Sequence, residues 1–208
     1  MTGPSTGPIR LLLADDQALV RGALSALLSL EADLEVIAEV GSGDAVVPAA
    51  REHRPDVALL DVEMPGLDGI EATAALREAL PDVKVLIVTT FGRPGFLRRA
   101  LQAGASGFVV KDTPAAQLAD AVRRVHAGLR VVDPALATDS LVAGESPLTA
   151  RETDVLREAR DGASVATIAQ RLFLSQGTVR NHLSAAIGKT GAANRSEAAV
   201  IADANGWL

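Results

Sequence analysis

Carboxylate, hydroxyl and ammonium side chains stand at the ends of several short apolar runs in this sequence. Asp15 and Asp16 follow the first run, and Asp61 follows the third. Thr89 and Lys111 close the two later runs in the same way. If these runs are parallel strands, their carboxyl ends meet at one edge of a sheet, so the five side chains would lie close together.

Such a cluster has a definite chemistry. A hard divalent cation relieves the repulsion between close carboxylates, and Mg²⁺ suits a small carboxylate set that leaves water ligands in place. Asp61 could attack phosphorus to form an acyl phosphate while the metal and Lys111 neutralise the phosphoryl oxygens. Thr89 could then donate a hydrogen bond to the new group. The alternative interpretation is that each acid is an ordinary strand-end or helix-start residue.

The elements that must position these groups alternate along the first 130 residues. Apolar spacings of three and four residues between the runs indicate helices. Strand, then helix, repeated five times predicts a doubly wound (βα)5 parallel sheet with helices on both faces. The predicted strands are Ile9–Ala14, Leu34–Val40, Val57–Leu60, Val83–Val88 and Gly107–Val110.

The pattern then changes to helices alone, which makes the whole chain α/β plus all-α. Residues 134–147 are predicted to be an interdomain linker with a short helical turn over 134–142. Thr149 and Glu152 have the spacing of a capping box, and Ser164, Ser175 and Asn194 are suited to cap three further helices. Phe173 and Leu174 are predicted to form the turn between the second and third of these four helices.

The third helix has two distinct faces. Val179, Leu183, Ala186 and Ile187 share the face expected to pack inward. The other face carries groups suited to base edges and phosphates, namely Gln176, Thr178, Arg180, Asn181 and Ser184. With the short turn before it, this arrangement predicts a helix-turn-helix with the third helix as reader. A small helical docking domain is the alternative.

Composition excludes several classes of protein. The chain has 208 residues, 48% of them apolar, and no cysteine, so a disordered chain, a disulfide scaffold and a cysteine-ligated metal are excluded. Aromatic residues make up 2%, too few for a base-stacking surface for single strands. No apolar run is long enough to cross a membrane, and the first eight residues form a polar tail unlike a secretory signal. We therefore expect a cytoplasmic protein.

The sequence resembles a known family in both parts. Asp15-Asp16, Asp61 with the following Met64-Pro-Gly and Asp68-Gly, Thr89, and Phe108-Val-Val-Lys111 resemble the signature of response-regulator receiver domains, which have the CheY-like fold. The resemblance implies that Asp61 is phosphorylated by a sensor histidine kinase. It also implies that Asp15, Asp16, Asp61 and the backbone carbonyl of Glu63 hold Mg²⁺, and that Thr89 and Phe108 form a switch pair.

The remainder is similar to LuxR-type helix-turn-helix domains. The motifs are Leu148–Leu156, Ile168–Leu172, Ser175–His182 and Asn194–Ala198. Together the two parts identify the chain as a member of the NarL/FixJ family, and the stretch Thr89–Ala100 is similar to that of DesR-like regulators. The resemblance implies base readers at Arg180, Asn181 and Ser184 and phosphate contacts at Gln176, Thr178, Lys189 and Arg195.

Three functions follow as hypotheses. The first is a transcription factor whose receiver (8–130) is joined by a linker (131–146) to a DNA-binding domain (147–208), with phosphorylation promoting homodimerisation on double-stranded promoter DNA. The second is a phosphatase of the haloacid-dehalogenase type, although Glu63 stands where that chemistry normally needs an aspartate. The third keeps both domains but binds DNA constitutively, with the receiver used only for assembly.

Overall fold

The computed structural model describes residues 7–90, 94–134, 136–137, 146–160 and 162–208. Within these residues the chain forms two compact units, and the main division along the chain falls after Ala137. Most of the polar N-terminal tail and most of the turn predicted for 134–142 lie outside the described residues. In the part that is described, no helix combines the length and the apolar character needed to span a membrane.

The first unit is the predicted alternation of strands and helices. Its strands are β1 (Ile9–Ala14), β2 (Leu34–Val40), β3 (Val57–Leu60), β4 (Lys84–Thr89), β5 (Gly107–Val110) and β6 (Val131–Val132). Its helices are α1 (Ala18–Leu28), α2 (Val46–His53), α3 (Gly69–Ala79), α4 (Pro94–Gln102) and α5 (Ala115–His126). All neighbouring strands are parallel, in the order β2-β1-β3-β4-β5-β6. The doubly wound parallel fold is therefore confirmed.

Two details differ from the sequence prediction. Strand β4 begins and ends one residue later than predicted, so Thr89 is its last residue rather than the first residue beyond it. The sheet also has a sixth strand, because Val131 and Val132 of the predicted linker pair with Gly107 and Phe108. A two-residue strand is too short to produce a detectable alternation in the sequence.

Strand alternation divides the buried side chains between the two faces of the sheet. Leu11, Leu13, Leu59 and Val88 point toward α1 and α5, where they join buried residues of α5 such as Val122. Residues between them, such as Leu12 and Leu60, are also fully buried and point to the opposite face. Strands buried on both faces are rigid supports, so the loops at their carboxyl ends have fixed starting points.

The second unit contains four helices around its own core. They are α6 (Ala150–Ala159), α7 (Val165–Arg171), α8 (Gln176–Thr190) and α9 (Arg195–Ala204). The four predicted caps form: Thr149 and Glu152 make a complete capping box, and Ser164, Ser175 and Asn194 accept hydrogen bonds from the first-turn N–H groups of their helices. Residues from all four helices, together with Leu208, make up its core.

A partly buried ion pair, with Glu152 buried and Lys189 exposed, links α6 to α8 inside this unit. The Glu152 carboxylate accepts hydrogen bonds from Lys189 Nζ and from the Thr149 backbone N–H, both at 2.7 Å. Burial alone would raise the pKa of Glu152, but these hydrogen bonds outweigh it and hold the pKa below its ordinary value. Folding is therefore stabilised by this group above its ordinary pKa of 4.5, and loses that contribution as pH falls through the lower folded value.

We predict that Glu152→Gln lowers the free energy of unfolding of the second unit by about 1 kcal/mol at pH 7. The difference from the unaltered chain should shrink toward pH 3, because the carboxylate becomes protonated as pH falls through its lowered folded pKa. Trp207 is the only tryptophan of the chain and packs against this core, so its fluorescence during urea unfolding reports this unit. Glu158→Gln, which breaks an exposed pair with Arg171, is the matched control and should change little. An equal loss at pH 3 and pH 7 would contradict the assignment.

Candidate functional site

The strand register brings the predicted acidic residues to one edge of the first unit. Ala14 is paired with Leu60, so Asp15 and Asp61 leave neighbouring strands at the same level. Both carboxylates are buried, whereas Asp16 is exposed. One carboxylate oxygen from each of Asp15, Asp16 and Asp61 lies within 4.8 Å of the others, an arrangement that could hold a metal ion. The predicted carboxylate cluster is present in the structure.

Lys111 reaches this cluster from the end of β5, which is separated from β3 by β4. Val110 is paired with Thr89 at the end of β4, and the chain places Lys111 directly after it. Its Nζ lies 2.7 Å from an oxygen of Asp61, to which it donates a hydrogen bond. It is also 2.7 Å from Asp15 Oδ2, as an ion pair without hydrogen-bond geometry. One ammonium group thus offsets part of the charge of three carboxylates.

The pKa values of Asp61 and Lys111 reflect the burial of both groups and their mutual attraction. Desolvation raises the pKa of Asp61 above its ordinary value, and the hydrogen bond and charge of Lys111 oppose this shift without cancelling it. Desolvation works to lower the pKa of Lys111, but pairing with Asp15 and Asp61 outweighs it, so the net shift is upward. Lys111 therefore remains a cation at neutral pH and is available to neutralise oxygens at Asp61.

The carboxylate oxygens fit a hard divalent cation. Asp15 Oδ1 accepts a hydrogen bond from the Gln17 backbone N–H at 2.9 Å. Asp15 Oδ2 is buried and accepts no hydrogen bond from the described residues. Lys111 Nζ lies on one side of this oxygen at 2.7 Å, and a remaining lone pair is suited to bind a hard divalent cation.

Two residues to which sequence reasoning assigned no structural role shape this site. Arg21 on α1 donates a hydrogen bond to the Asp15 backbone carbonyl and lies 3.6 Å from Glu39, and so fixes the loop after β1. Gly69 starts α3, and a Cβ there would lie 1.9 Å from the Asp61 carbonyl oxygen. Only glycine permits this approach. The Asp68-Gly pair was the available signal, because Asp68 caps α3 through a capping box with Glu71.

Thr89 and Phe108 lie on the same face of the sheet. Phe108 is paired with Ile87, and Thr89 with Val110, so the two side chains are two residues apart on adjacent strands. Both lie on the face opposite α1 and α5, because their neighbours Val88 and Val109 point toward those helices. Thr89 is buried and Phe108 is fully buried, so its ring already occupies an inward position.

The polar face predicted for the third helix of the second unit is the outer face of α8. Val179, Leu183 and Ala186 are buried in the core. The side chains that lie outside it are half-buried at Thr178 and exposed at Gln176, Arg180, Asn181 and Ser184. Arg180 donates to the Gln176 side-chain oxygen at 3.3 Å. This helix is preceded by the short turn of a helix-turn-helix.

The other two predicted DNA contacts, Lys189 and Arg195, are hydrogen-bonded to other parts of the second unit. Lys189 is hydrogen-bonded to Glu152, as described above, so its charge is already partly compensated. Arg195 Nη1 donates to the Ala163 backbone carbonyl at 2.9 Å and connects the start of α9 to the loop before α7. Both side chains therefore have partners within the unit, whereas most side chains on the outer face of α8 are exposed to solvent.

The two units together define a class of protein: a response regulator with a DNA-binding output. Residues 11–123 match the family of response regulator receiver domains, and residues 146–202 match the luxR family of bacterial regulatory proteins. The chain therefore belongs to the NarL/FixJ family of two-component response regulators, which are transcriptional regulators. This family is one of transcription factors and not of ordinary enzymes, so the phosphatase alternative is set aside.

Similar proteins cover the full length of the chain. The transcriptional regulatory protein YvfU of Bacillus subtilis is 44% identical, over 96% of this chain and 100% of that protein. DesR of the same organism is 41% identical, over 96% of this chain and 99% of that protein. The crystal structure of ChrA, a response regulator of a heme-sensing two-component system, is 35% identical, with a TM-score of 0.59 over 95% of this chain and 97% of that one. Since YvfU and DesR are similarly related, the DesR-like assignment stays a prediction.

We predict that Gly69→Ala lowers the free energy of unfolding of the first unit by about 1–3 kcal/mol, because the added methyl group must displace the Asp61 backbone. Far-UV circular dichroism during urea unfolding measures this change. Gly22→Ala is the matched control: this glycine lies in α1 with no atom within 4 Å of the added group. That variant should be stabilised by about 0.5–1 kcal/mol. Equal stability of the two variants would show that Gly69 is not constrained.

Proposed function

We propose that a sensor histidine kinase phosphorylates Asp61, and that phosphorylation promotes homodimerisation and promoter binding. The observation that carries this proposal is the buried Asp61 carboxylate with Lys111 Nζ at 2.7 Å and two further carboxylates beside it. The domain division of the proposal is a receiver over 8–130, a linker over 131–146 and a DNA-binding domain over 147–208. Such a regulator acts in the cytoplasm, where it meets chromosomal DNA.

The chemistry at Asp61 is a phosphoryl transfer. A carboxylate oxygen of Asp61 forms a bond to phosphorus as the bond from phosphorus to the kinase's histidine nitrogen breaks, and the imidazole leaves with the electron pair. Lys111 shifts its hydrogen bond from the Asp61 carboxylate to a phosphoryl oxygen. Hydrolysis of the same acyl phosphate by water returns Asp61 to its starting state, and is the only turnover proposed for this chain.

Asp15, Asp16, Asp61 and the backbone carbonyl of Glu63 are the groups we propose to hold Mg²⁺. When bound, the ion supplies charge neutralisation for the phosphoryl oxygens that the single ammonium of Lys111 cannot provide alone. Asp15 Oδ2 supports this assignment because it is buried and accepts no hydrogen bond from the described residues. Asp16 is exposed and supplies an oxygen on the open side of the site.

Thr89 and Phe108 are proposed to carry the signal from the site to the surface. The Thr89 hydroxyl donates a hydrogen bond to the phosphoryl group, which draws the end of β4 toward Asp61. Phe108 is already buried on the same face, so the shift of Thr89 stabilises the inward ring position. Partners that prefer this state then shift the population toward it.

DNA contact is assigned to the outer face of α8. Arg180, Asn181 and Ser184 are proposed to read base edges, while Gln176 and Thr178 contact phosphates near the start of the helix. Lys189 and Arg195 remain proposed phosphate contacts, but each would have to share its internal partner with DNA. A homodimer would place two copies of α8 on half-sites one helical turn apart.

We predict that Asp61→Asn abolishes phosphorylation of the full-length chain by acetyl phosphate and Mg²⁺. Intact-mass spectrometry detects the added phosphoryl group, and removal of Mg²⁺ with a chelator should abolish it equally. Asp112→Asn is the matched control, because this exposed carboxylate follows Lys111 but is not part of the cluster. A phosphorylated Asp61→Asn protein would refute the acceptor assignment.

We also predict that Thr89→Val separates phosphorylation from output. The variant keeps the shape of the side chain but lacks the hydroxyl, so Asp61 should still be phosphorylated while the response fails. Light scattering should show that beryllofluoride with Mg²⁺ converts the unaltered chain to dimers and leaves the variant monomeric. If the unaltered chain has the same oligomeric state and the same DNA affinity with and without beryllofluoride, the constitutive hypothesis is correct instead.

A further inference from the structure

Phe173 is the most exposed large apolar side chain of the described residues. It lies in the turn between α7 and α8, with 95% of its surface exposed. Its backbone has φ +55°, in the left-handed region. A bulky residue with positive φ is a rare outlier, and the turn of a helix-turn-helix often uses glycine. Phe173 therefore combines an unfavourable backbone conformation with an unfavourable exposure of its ring.

The fold does not need the ring of Phe173. The turn is fixed by backbone hydrogen bonds, since Leu174 N–H donates to the Ala169 carbonyl at 2.8 Å and Phe173 N–H donates to Gln170 at 3.4 Å. Leu172 and Leu174, on either side, pack against the core of the unit. The neighbours of Phe173 thus hold the turn, while its ring points into solvent and buries almost no surface.

The charged residues near Phe173 in the chain indicate the class of partner that its ring contacts. Phe173 lies two residues before Ser175, the cap of α8, and so at the same end of the helix as Gln176 and Thr178. The stretch 162–196 contains no acidic residue and four basic ones. Arg171 and Lys189 are paired with Glu158 and Glu152, but Arg180, near the start of α8, is hydrogen-bonded to the neutral Gln176 side chain and keeps its positive charge for a polyanion. Duplex DNA is a polyanion that also presents apolar groups, the thymine methyl and the deoxyribose C–H groups, at the edge of its major groove.

We propose that Phe173 is a DNA-contacting residue whose ring packs against this apolar surface when α8 enters the major groove. The inference rests on the proposed role of α8 as the reader. It adds a hydrophobic contact to a set of residues that is otherwise polar, and it explains why a phenyl ring occupies a position where glycine would be unstrained.

The test uses the full-length chain with beryllofluoride and Mg²⁺, and a probe duplex recovered by selecting a random library with the unaltered protein. Phe173→Gly removes the ring and suits the left-handed backbone, so Trp207 fluorescence during unfolding should show no loss of stability. Its affinity for the selected duplex should fall about tenfold, the loss expected for one good base-edge contact. Phe173→Leu keeps an apolar side chain and should recover part of the affinity.

Salt dependence separates an apolar contact from a misplaced helix. Loss of an apolar contact should lower the affinity equally at every salt concentration and leave the slope of log K against log salt unchanged. Arg180→Gln, which removes a charge from α8, is the comparison in which that slope can change. Val200→Ser is the matched control, because Val200 is 68% exposed in the same unit but lies on α9, and it should bind as the unaltered chain does.

Replacing thymine by uracil in the selected duplex distinguishes the two apolar partners. If the ring contacts a thymine methyl, uracil at that position should weaken binding by the unaltered chain and have no effect on Phe173→Gly. If it contacts deoxyribose, uracil should affect both proteins equally while Phe173→Gly still binds about tenfold more weakly. Either pattern supports the contact with DNA.

Several outcomes would overturn the proposal. Unchanged affinity of Phe173→Gly would show that the ring does not touch DNA and would favour a protein partner. A loss of stability, or a loss of affinity with an altered salt slope, would show that the ring acts through the fold. If Phe173→Gly binds normally while Arg180→Gln loses binding, only this inference fails. If no duplex is selected, or if neither variant affects binding, the reader assignment fails with it.

Discussion

The repulsion between carboxylates gathered at one edge of the sheet is the constraint on which the first unit depends. Asp15 and Asp61 leave paired strands at the same level, and both are buried. Lys111 is the ammonium group that holds them together, at 2.7 Å from each. Lys111 offsets only part of the negative charge gathered there, so a change in charge at Asp61 alters the balance. The phosphoryl group proposed at Asp61 would change this balance directly.

The sheet connects the charged cluster at Asp61 to the surface of the first unit. Rigid strands buried on both faces fix the starting points of the loops, while Gly69 and Arg21 hold the backbone of Asp61 and Asp15 in place. Thr89 and Phe108 lie on one face, away from α1 and α5. In the proposed switch, movement would involve Thr89 at the end of β4 and Phe108 near the start of β5.

Much of this could be predicted from the sequence, for reasons that are local. Four strands have the predicted bounds because Val, Ile and Leu runs between clear breaks leave little ambiguity, and the helix caps are set by a few adjacent residues. The pairing of Lys189 with Glu152 joins residues 37 positions apart and gives no sequence signal. The same holds for the positive φ of Phe173, since a phenylalanine in a sequence does not indicate a left-handed backbone.

The two outer strands of the sheet also decide how copies of this chain can associate. At one edge, β6 has only two residues, and at the other, β2 carries exposed glutamates at positions 35 and 39. Short or charged border strands are poor templates for pairing with another molecule. Self-association by prolonging the sheet, the route that leads to insoluble aggregates, is therefore disfavoured, and the proposed homodimer is expected to use helix and loop surfaces.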